Sequence, residues 1–201
     1  MLDRLRLGLA LAPYAAALLG SSACLDVPGA PAKDALSVRD VTAPEGTKLE
    51  TACTPGGVEV CFDARDNNCN GVIDEGCGLH TGVLQFVIAW ESTDADIDLN
   101  VYDPTGELAR LGEATSAGLM KDRDCPRSEE CHGQNVENVY LSEGEPRAGR
   151  YRAVIRLDKL NGASPPIKVR LGARVGQRGY AMTVDLAPGP GTEEKTFEFT
   201  L

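Results

Sequence analysis

Several things are scarce in this sequence, and each absence narrows what the chain can do. Phe, Tyr and Trp make up only 5% of its 201 residues, while Gly and Pro are plentiful. That balance suits many short strands joined by turns and disfavours long helices. There are two His in all, with no Gly-x-Ser-x-Gly, no His-Glu-x-x-His and no phosphate-binding Gly loop. Paired carboxylates occur only in clusters that look like cation ligands, without the apolar pocket that would split their pKa values into acid and base roles. A non-catalytic protein is therefore expected. Positive charge is also in the minority: the formal net charge is −10 and the pI about 4.7, which argues against nucleic acid as a main partner. The one sustained apolar run, Leu7 to Leu19, is too short for a comfortable membrane span.

What is present begins with that run. Arg4 and Arg6 precede it and Gly20-Ser21-Ser22-Ala23-Cys24 follows, giving the three regions of a secretory signal. Seven Cys is an odd number, so an oxidising compartment leaves one over. Small residues before Cys24 resemble the lipobox of bacterial lipoproteins, with Ser21 where Leu is usual. The resemblance implies a lipidated Cys24, which removes the odd thiol, and a membrane partner through the lipid anchor. Ordinary signal cleavage before Cys24 is the alternative. In the sorting pattern of enteric bacteria an Asp after the Cys retains the protein in the inner membrane. Leu25 stands there, which implies the outer membrane. The expected organisation is a signal peptide over residues 1–23, a lipidated Cys and flexible, disordered tether over 24–50, a Cys-rich metal-binding motif over 51–79 and a β-sandwich over 80–201.

The Cys-rich motif holds the sharpest chemistry. Asp66, Asn68 and Asn70 present side-chain oxygens at alternate positions, Gly71 allows a sharp turn, and Asp74 and Glu75 return two carboxylates. This is the front half of an EF-hand calcium loop. Cys77 stands where an EF-hand places its closing Glu, so Asp74 or Glu75 has to complete the set. Cys53, Cys61, Cys69 and Cys77 recur at constant spacing and replace flanking helices as the scaffold. The expected ligands of a weakly held calcium are Asp66, Asn68, Asn70, the Val72 carbonyl, and Asp74 or Glu75. The competing reading is a disulfide-stapled turn with solvated carboxylates. Pairings of Cys61 with Cys69 and Cys53 with Cys77 are favoured, with Cys125 and Cys131 closing a local loop.

Cys61, Asp63, Asp66, Asn67, Cys69, Gly71, Asp74 and Glu75 resemble the MopE-type metal-binding motif of exported bacterial proteins. Ala64 replaces a Gly of that pattern, and Asn68 and Asn70 replace Asp. The resemblance implies metal binding, with two fewer negative charges than usual.

From Thr81 onward the period is two. Leu84, Phe86, Ile88 and Trp90 share one face, with largely apolar residues between them, as in a strand well inside a sheet. Further alternating sets are Ile97, Leu99 and Val101; Tyr151, Ala153, Ile155 and Leu157; Ile167, Val169 and Leu171; Tyr180, Met182, Val184 and Leu186; and Phe197, Phe199 and Leu201. Turn residues punctuate them, so the fold class is all-β, an antiparallel β-sandwich. Trp90, Asp96, Asp98, Leu99, Asp103, Pro104, Gly106, Glu137, Asn138, Gly149 and Tyr151 resemble a YfaP-like domain, an all-β bacterial surface module without an established activity.

Three further candidates stand on this domain. Asp94, Asp96 and Asp98 have one parity, so a second metal site with Asp103 and Glu137 competes with an acidic exposed strand face. Arg150, Arg152 and Arg156, with Lys168 and Arg170, form a basic face if their strands are neighbours. His80 reads as a solvated linker side chain, and His132 beside Cys131 does not read as a zinc ligand, because no second His or Cys pair stands at zinc spacing and an exported chain oxidises its thiols. The function expected from these features is a calcium-stabilised envelope module binding a protein or glycan, in the manner of an adhesion component. The alternative is a purely structural envelope lipoprotein, or a subunit of a larger envelope machine.

Overall fold

Ten strands form among the described residues, the longer ones mostly from alternating apolar residues, in this order: β1 (Asp40–Thr42), β2 (Lys48–Glu50), β3 (Leu84–Trp90), β4 (Asp96–Tyr102), β5 (Met120–Asp124), β6 (Val136–Leu141), β7 (Arg150–Lys159), β8 (Ile167–Val175), β9 (Arg178–Leu186) and β10 (Glu194–Thr200). The computed structural model describes residues 36, 38–126 and 131–201. The signal-like start, Cys24 and the first part of the expected tether lie outside the described residues. Two antiparallel sheets face each other, one in the order β1-β10-β7-β4 and the other β2-β9-β8-β3-β6-β5. There is no α-helix among the described residues, so the all-β sandwich is the observed fold.

The period-two sets supply the core between the sheets. Phe86, Ile88, Leu99, Tyr151, Ile155, Leu171, Phe197 and Phe199 are fully buried there, each contributing roughly 1.5–3 kcal/mol relative to exposure. Trp90 is buried too and donates its indole N–H to the Ala95 carbonyl at 3.0 Å.

Both flanks of the sandwich are bridged by short segments. On one flank, β1 extends the four-stranded sheet through Val41 opposite Phe199. A few residues later β2 extends the six-stranded sheet through Leu49 opposite Met182. Residues 40–50 thus tie the two sheets together, which corrects the expectation of a flexible tether over 24–50 in its last part. On the other flank, Leu108 bridges to Tyr102 and Leu111 to Lys121, so one stretch touches the edge strands β4 and β5.

All seven residues of β3 are buried. One face looks into the sandwich core. The other, with Val87 and Ala89, lies under the Cys-rich segment, where Ala64, Ile73 and Leu79 join them, Val136, Cys125 and Cys131 in a second apolar cluster. Close approach is possible because residue 172 is Gly: a Cβ there would stand 2.4 Å from the Ala64 carbonyl oxygen.

The pairings in this segment are Cys53–Cys69 and Cys61–Cys77, with Cys125–Cys131 in the sandwich. The first two correct the expected Cys61–Cys69 and Cys53–Cys77. Evenly spaced Cys allow nested or interleaved connections alike, and the folded loop takes the interleaved one. The basic face is corrected as well, because β7 and β8 belong to different sheets. Arg156 bonds Asp98 at 3.0 Å, Arg150 pairs with Glu198, Arg152 lies 4.3 Å over the Tyr102 ring, and Arg170 bonds Glu50 at 3.1 Å.

Candidate metal centre

The loop between Cys61 and Cys77 folds back on its own backbone through short polar side chains. Asp66 Oδ1 accepts the Asn70 N–H at 3.0 Å and Oδ2 accepts the Gly71 N–H at 2.7 Å. Asn68 Oδ1 also accepts the Asn70 N–H, at 3.0 Å, and Asn70 Oδ1 accepts the Val72 N–H at 2.8 Å. Gly71 turns at φ +83°, against the Gln177 carbonyl. Alternate residues therefore present their heads to one side while the backbone winds beneath them.

Those heads meet at Glu75. The amides of Asn68 and Asn70 both donate to its Oε1, while Oε2 is buried without a hydrogen-bond partner. Asp74 faces elsewhere. Its buried carboxylate accepts the N–H groups of Asp63 and Ala64, both at 3.2 Å. Burial, with the Asp63 charge adding, pushes its pKa up to about 7 against those bonds. Of the two carboxylates expected to close the set, Glu75 stands with the amides and Asp74 pins the start of the loop. Ala64, where the resembling pattern has Gly, sits at φ +57° over this pin.

Glu59 belongs to the same construction, although nothing in its Gly- and Pro-flanked surroundings singled it out. Its oxygens accept the N–H groups of Asp74 at 3.0 Å and Asn67 at 3.1 Å. Burial, with the charges of Glu75 and Asp66, raises its pKa. Its one sequence signal was a carboxylate standing alone between exposed Val58 and Val60.

The five residues of the second candidate site do not come together. Asp94 is exposed, and a register shift between Asp96 and Ile97 breaks the alternation on which the shared face rested. Asp103 caps its own turn, accepting from the Thr105 hydroxyl and from the N–H groups of Thr105 and Glu107. Asp98 and Glu137 do meet, joined by Asp124, with one oxygen of each within 4.8 Å of the others. Lys121 occupies this corner: its Nζ lies 2.6 Å from Asp124 and 2.8 Å from Glu137. Glu137 also accepts the Leu99 N–H at 2.6 Å, joining β6 to the edge strand of the opposite sheet. Burial drives the Glu137 carboxyl well above its ordinary pKa, opposed by Lys121.

His80 is exposed but engaged, stacked on Tyr140 with centroids 5.0 Å apart and 2.8 Å from Asp122. His132 is exposed, beside the Cys125–Cys131 bridge.

Residues 50–75 match a family model named Cu-binding MopE and described as "Putative metal-binding motif". The chain carries that metal-binding motif. No curated protein and no solved structure matches the chain.

The residues present fit a hard divalent cation. Asp66, Asn68, Asn70 and Glu75 offer oxygen, and one Glu75 oxygen is buried and unpartnered. The matched stretch has no His and no Met, and its three Cys are all in disulfides. Nitrogen and thiolate ligands, which soft or strongly complexing metals favour, are missing.

Proposed function

We propose that the loop from Asp66 to Glu75 binds calcium and stabilises a non-catalytic module of an exported bacterial lipoprotein. The buried, unpartnered oxygen of Glu75, next to the Asn68 and Asn70 heads, carries this reading. Oxygen-only ligands suit calcium. Magnesium demands a tighter octahedron and gives up water reluctantly, and copper favours ligands the loop lacks. Asp66 and Glu75 are the two carboxylates in the set. That low charge supports an affinity in the range of extracellular modules, on the order of 10⁻⁴ to 10⁻³ M. Calorimetric titration of the full oxidised chain with calcium, wild type beside Asp66→Ala, is the test. Heat in the wild type and its loss in the variant is the expected result. No heat in the wild type, equal heat in both, or binding of copper in place of calcium would refute it.

Export and anchoring rest on Arg4, Arg6, the Leu7 to Leu19 run and Cys24. Three disulfides support an oxidising compartment. Mass spectrometry of the native N-terminus checks lipidation at Cys24, and a retained Met1 or an unlipidated Cys24 counts against it. In this reading the protein is tethered to the outer membrane and its sandwich, of YfaP-like kind, presents a surface to an envelope protein or glycan. The docking of the loop on the six-stranded sheet favours the second reading, in which the metal serves stability of a structural envelope component. Sugar-specific binding on a glycan array supports the first, and one stoichiometric envelope protein in a pull-down supports the second.

A further inference from the structure

The outward face of β8 is the rail on which the metal loop lies. Val169, Leu171, Ala173 and Val175 point into the core, so Arg170, Gly172 and Arg174 face the loop. Arg170 Nη1 donates to the Asp63 carbonyl at 2.7 Å, and a Cβ on Gly172 would press on the Ala64 carbonyl. One step further along the rail, Arg174 stands across the β8–β9 pair from Gly179, the residue that lies against Asp66, so its guanidinium shares that side with the loop; the charges of Asp66 and Glu75 act on it while burial lowers its pKa. Its stem is fixed, because Nε donates to the Gly176 carbonyl at 2.9 Å. The turn after β8 continues the contact. A Cβ on Gly71 would stand 2.7 Å from the Gln177 oxygen, and one on Gly179 would stand 3.7 Å from Asp66 Oδ2.

We propose that Arg174 is a cation built into the sandwich that opposes the metal, lowering the loop's calcium affinity and holding the loop on the β8–β9 hairpin when no metal is bound. This rests on the calcium reading above and adds its regulation. A guanidinium attracted to Asp66 and Glu75 compensates the same two carboxylates that a divalent ion needs. A cation entering the loop meets its repulsion, so the loop fills only where calcium is plentiful. Arg174 acts here through fixed charge. It is not offered as a ligand.

Calcium titration by calorimetry of the full oxidised chain, wild type beside Arg174→Gln and Arg174→Lys, tests this. Removing one unit of charge near a divalent ion at a protein surface is expected to tighten binding on the order of tenfold in Arg174→Gln. Arg174→Lys, which keeps the charge and loses the planar fork, is expected to stay within about twofold of wild type. The gap between wild type and Arg174→Gln narrows as sodium chloride rises from about 50 mM to about 500 mM. A wild type that binds beside an Arg174→Gln variant of unchanged or weaker affinity overturns the proposal. Equal tightening in the Gln and Lys variants also overturns it, because packing and not charge would then be at work. Absence of calcium heat in the wild type overturns the calcium reading itself, on which this proposal rests.

Discussion

Replacing Gly172 by Ala should loosen the metal loop from the sandwich without touching any metal-facing residue. The new Cβ would lie 2.4 Å from the Ala64 carbonyl oxygen, 3.0 Å from its carbon and 3.1 Å from Ile73 Cδ1, where ordinary contacts are 3.4–4 Å. One backbone therefore has to retreat by about 1 Å, a distance that ends good van der Waals contact. Neither side yields readily: β8 is flanked by β9 and β3, and the loop is held by Cys53–Cys69, Cys61–Cys77 and the Asp74 pin. Overpacking of this kind costs about 1–3 kcal/mol. The reduced freedom of the unfolded chain returns about 0.4–1 kcal/mol. The net expectation is a loss of about 1–2 kcal/mol, or roughly 2–8 °C in Tm for a chain of this size. The single Trp is a suitable probe, since Trp90 is buried on β3 opposite Val169 of β8. Urea unfolding followed by its fluorescence gives the stability, and calcium titration of the same protein gives the linkage. If Gly172→Ala unfolds at the wild-type urea midpoint with the wild-type calcium affinity, the loop does not dock where this argument places it.

Three further outcomes follow from particular contacts. Lys121→Met strands Glu137 as a buried charge and should cost about 3–5 kcal/mol in chemical unfolding. The double variant Lys121→Met with Glu137→Gln keeps an acceptor for the Leu99 N–H and should recover most of it, and a double variant no more stable than the single would refute the argument. At Asp103, burial pushes the carboxyl up, but bonds from the Thr105 hydroxyl and the Thr105 and Glu107 N–H groups, with the Thr115 hydroxyl nearby, outweigh it, and the pKa is lowered. Its stabilisation is therefore present above the unfolded carboxylate pKa and is lost as pH falls through the lower, folded one. Asp103→Asn should cost about 1–2 kcal/mol near pH 7 and flatten the acid limb of stability measured by urea unfolding against pH. Non-reducing peptide mapping should recover Cys53–Cys69, Cys61–Cys77 and Cys125–Cys131. Cys61→Ser with Cys77→Ser should lose about 3 kcal/mol and weaken calcium binding, and unaltered stability would speak against that bridge as the brace of the loop.

The sequence by itself determined what depends on neighbours along the chain. Period-two alternation placed the core faces of Leu84 to Trp90, Ile97 to Val101 and the four later strands, because a strand's side chains take their faces from local geometry. The run Asp66, Asn68, Asn70 and Gly71 was legible for the same reason: an Asx-braced turn is made within a few residues. Only the tertiary structure decided the rest. Strands β1 and β2 are three residues each and show no period, and their pairing with Phe199 and Met182 is specified by partners far along the chain. Evenly spaced Cys left the bridges degenerate until the loop's path chose Cys53–Cys69 and Cys61–Cys77. The second carboxylate cluster formed across a corner, with Asp124 and Lys121 in place of Asp94, Asp96 and Asp103, because two sheets meet there. Glu59 and Arg174 joined the metal loop through backbone N–H groups and charges that spacing does not encode. The choice between Asp74 and Glu75 was likewise a matter of burial, which takes one carboxylate beneath the loop and leaves the other among the amides of Asn68 and Asn70.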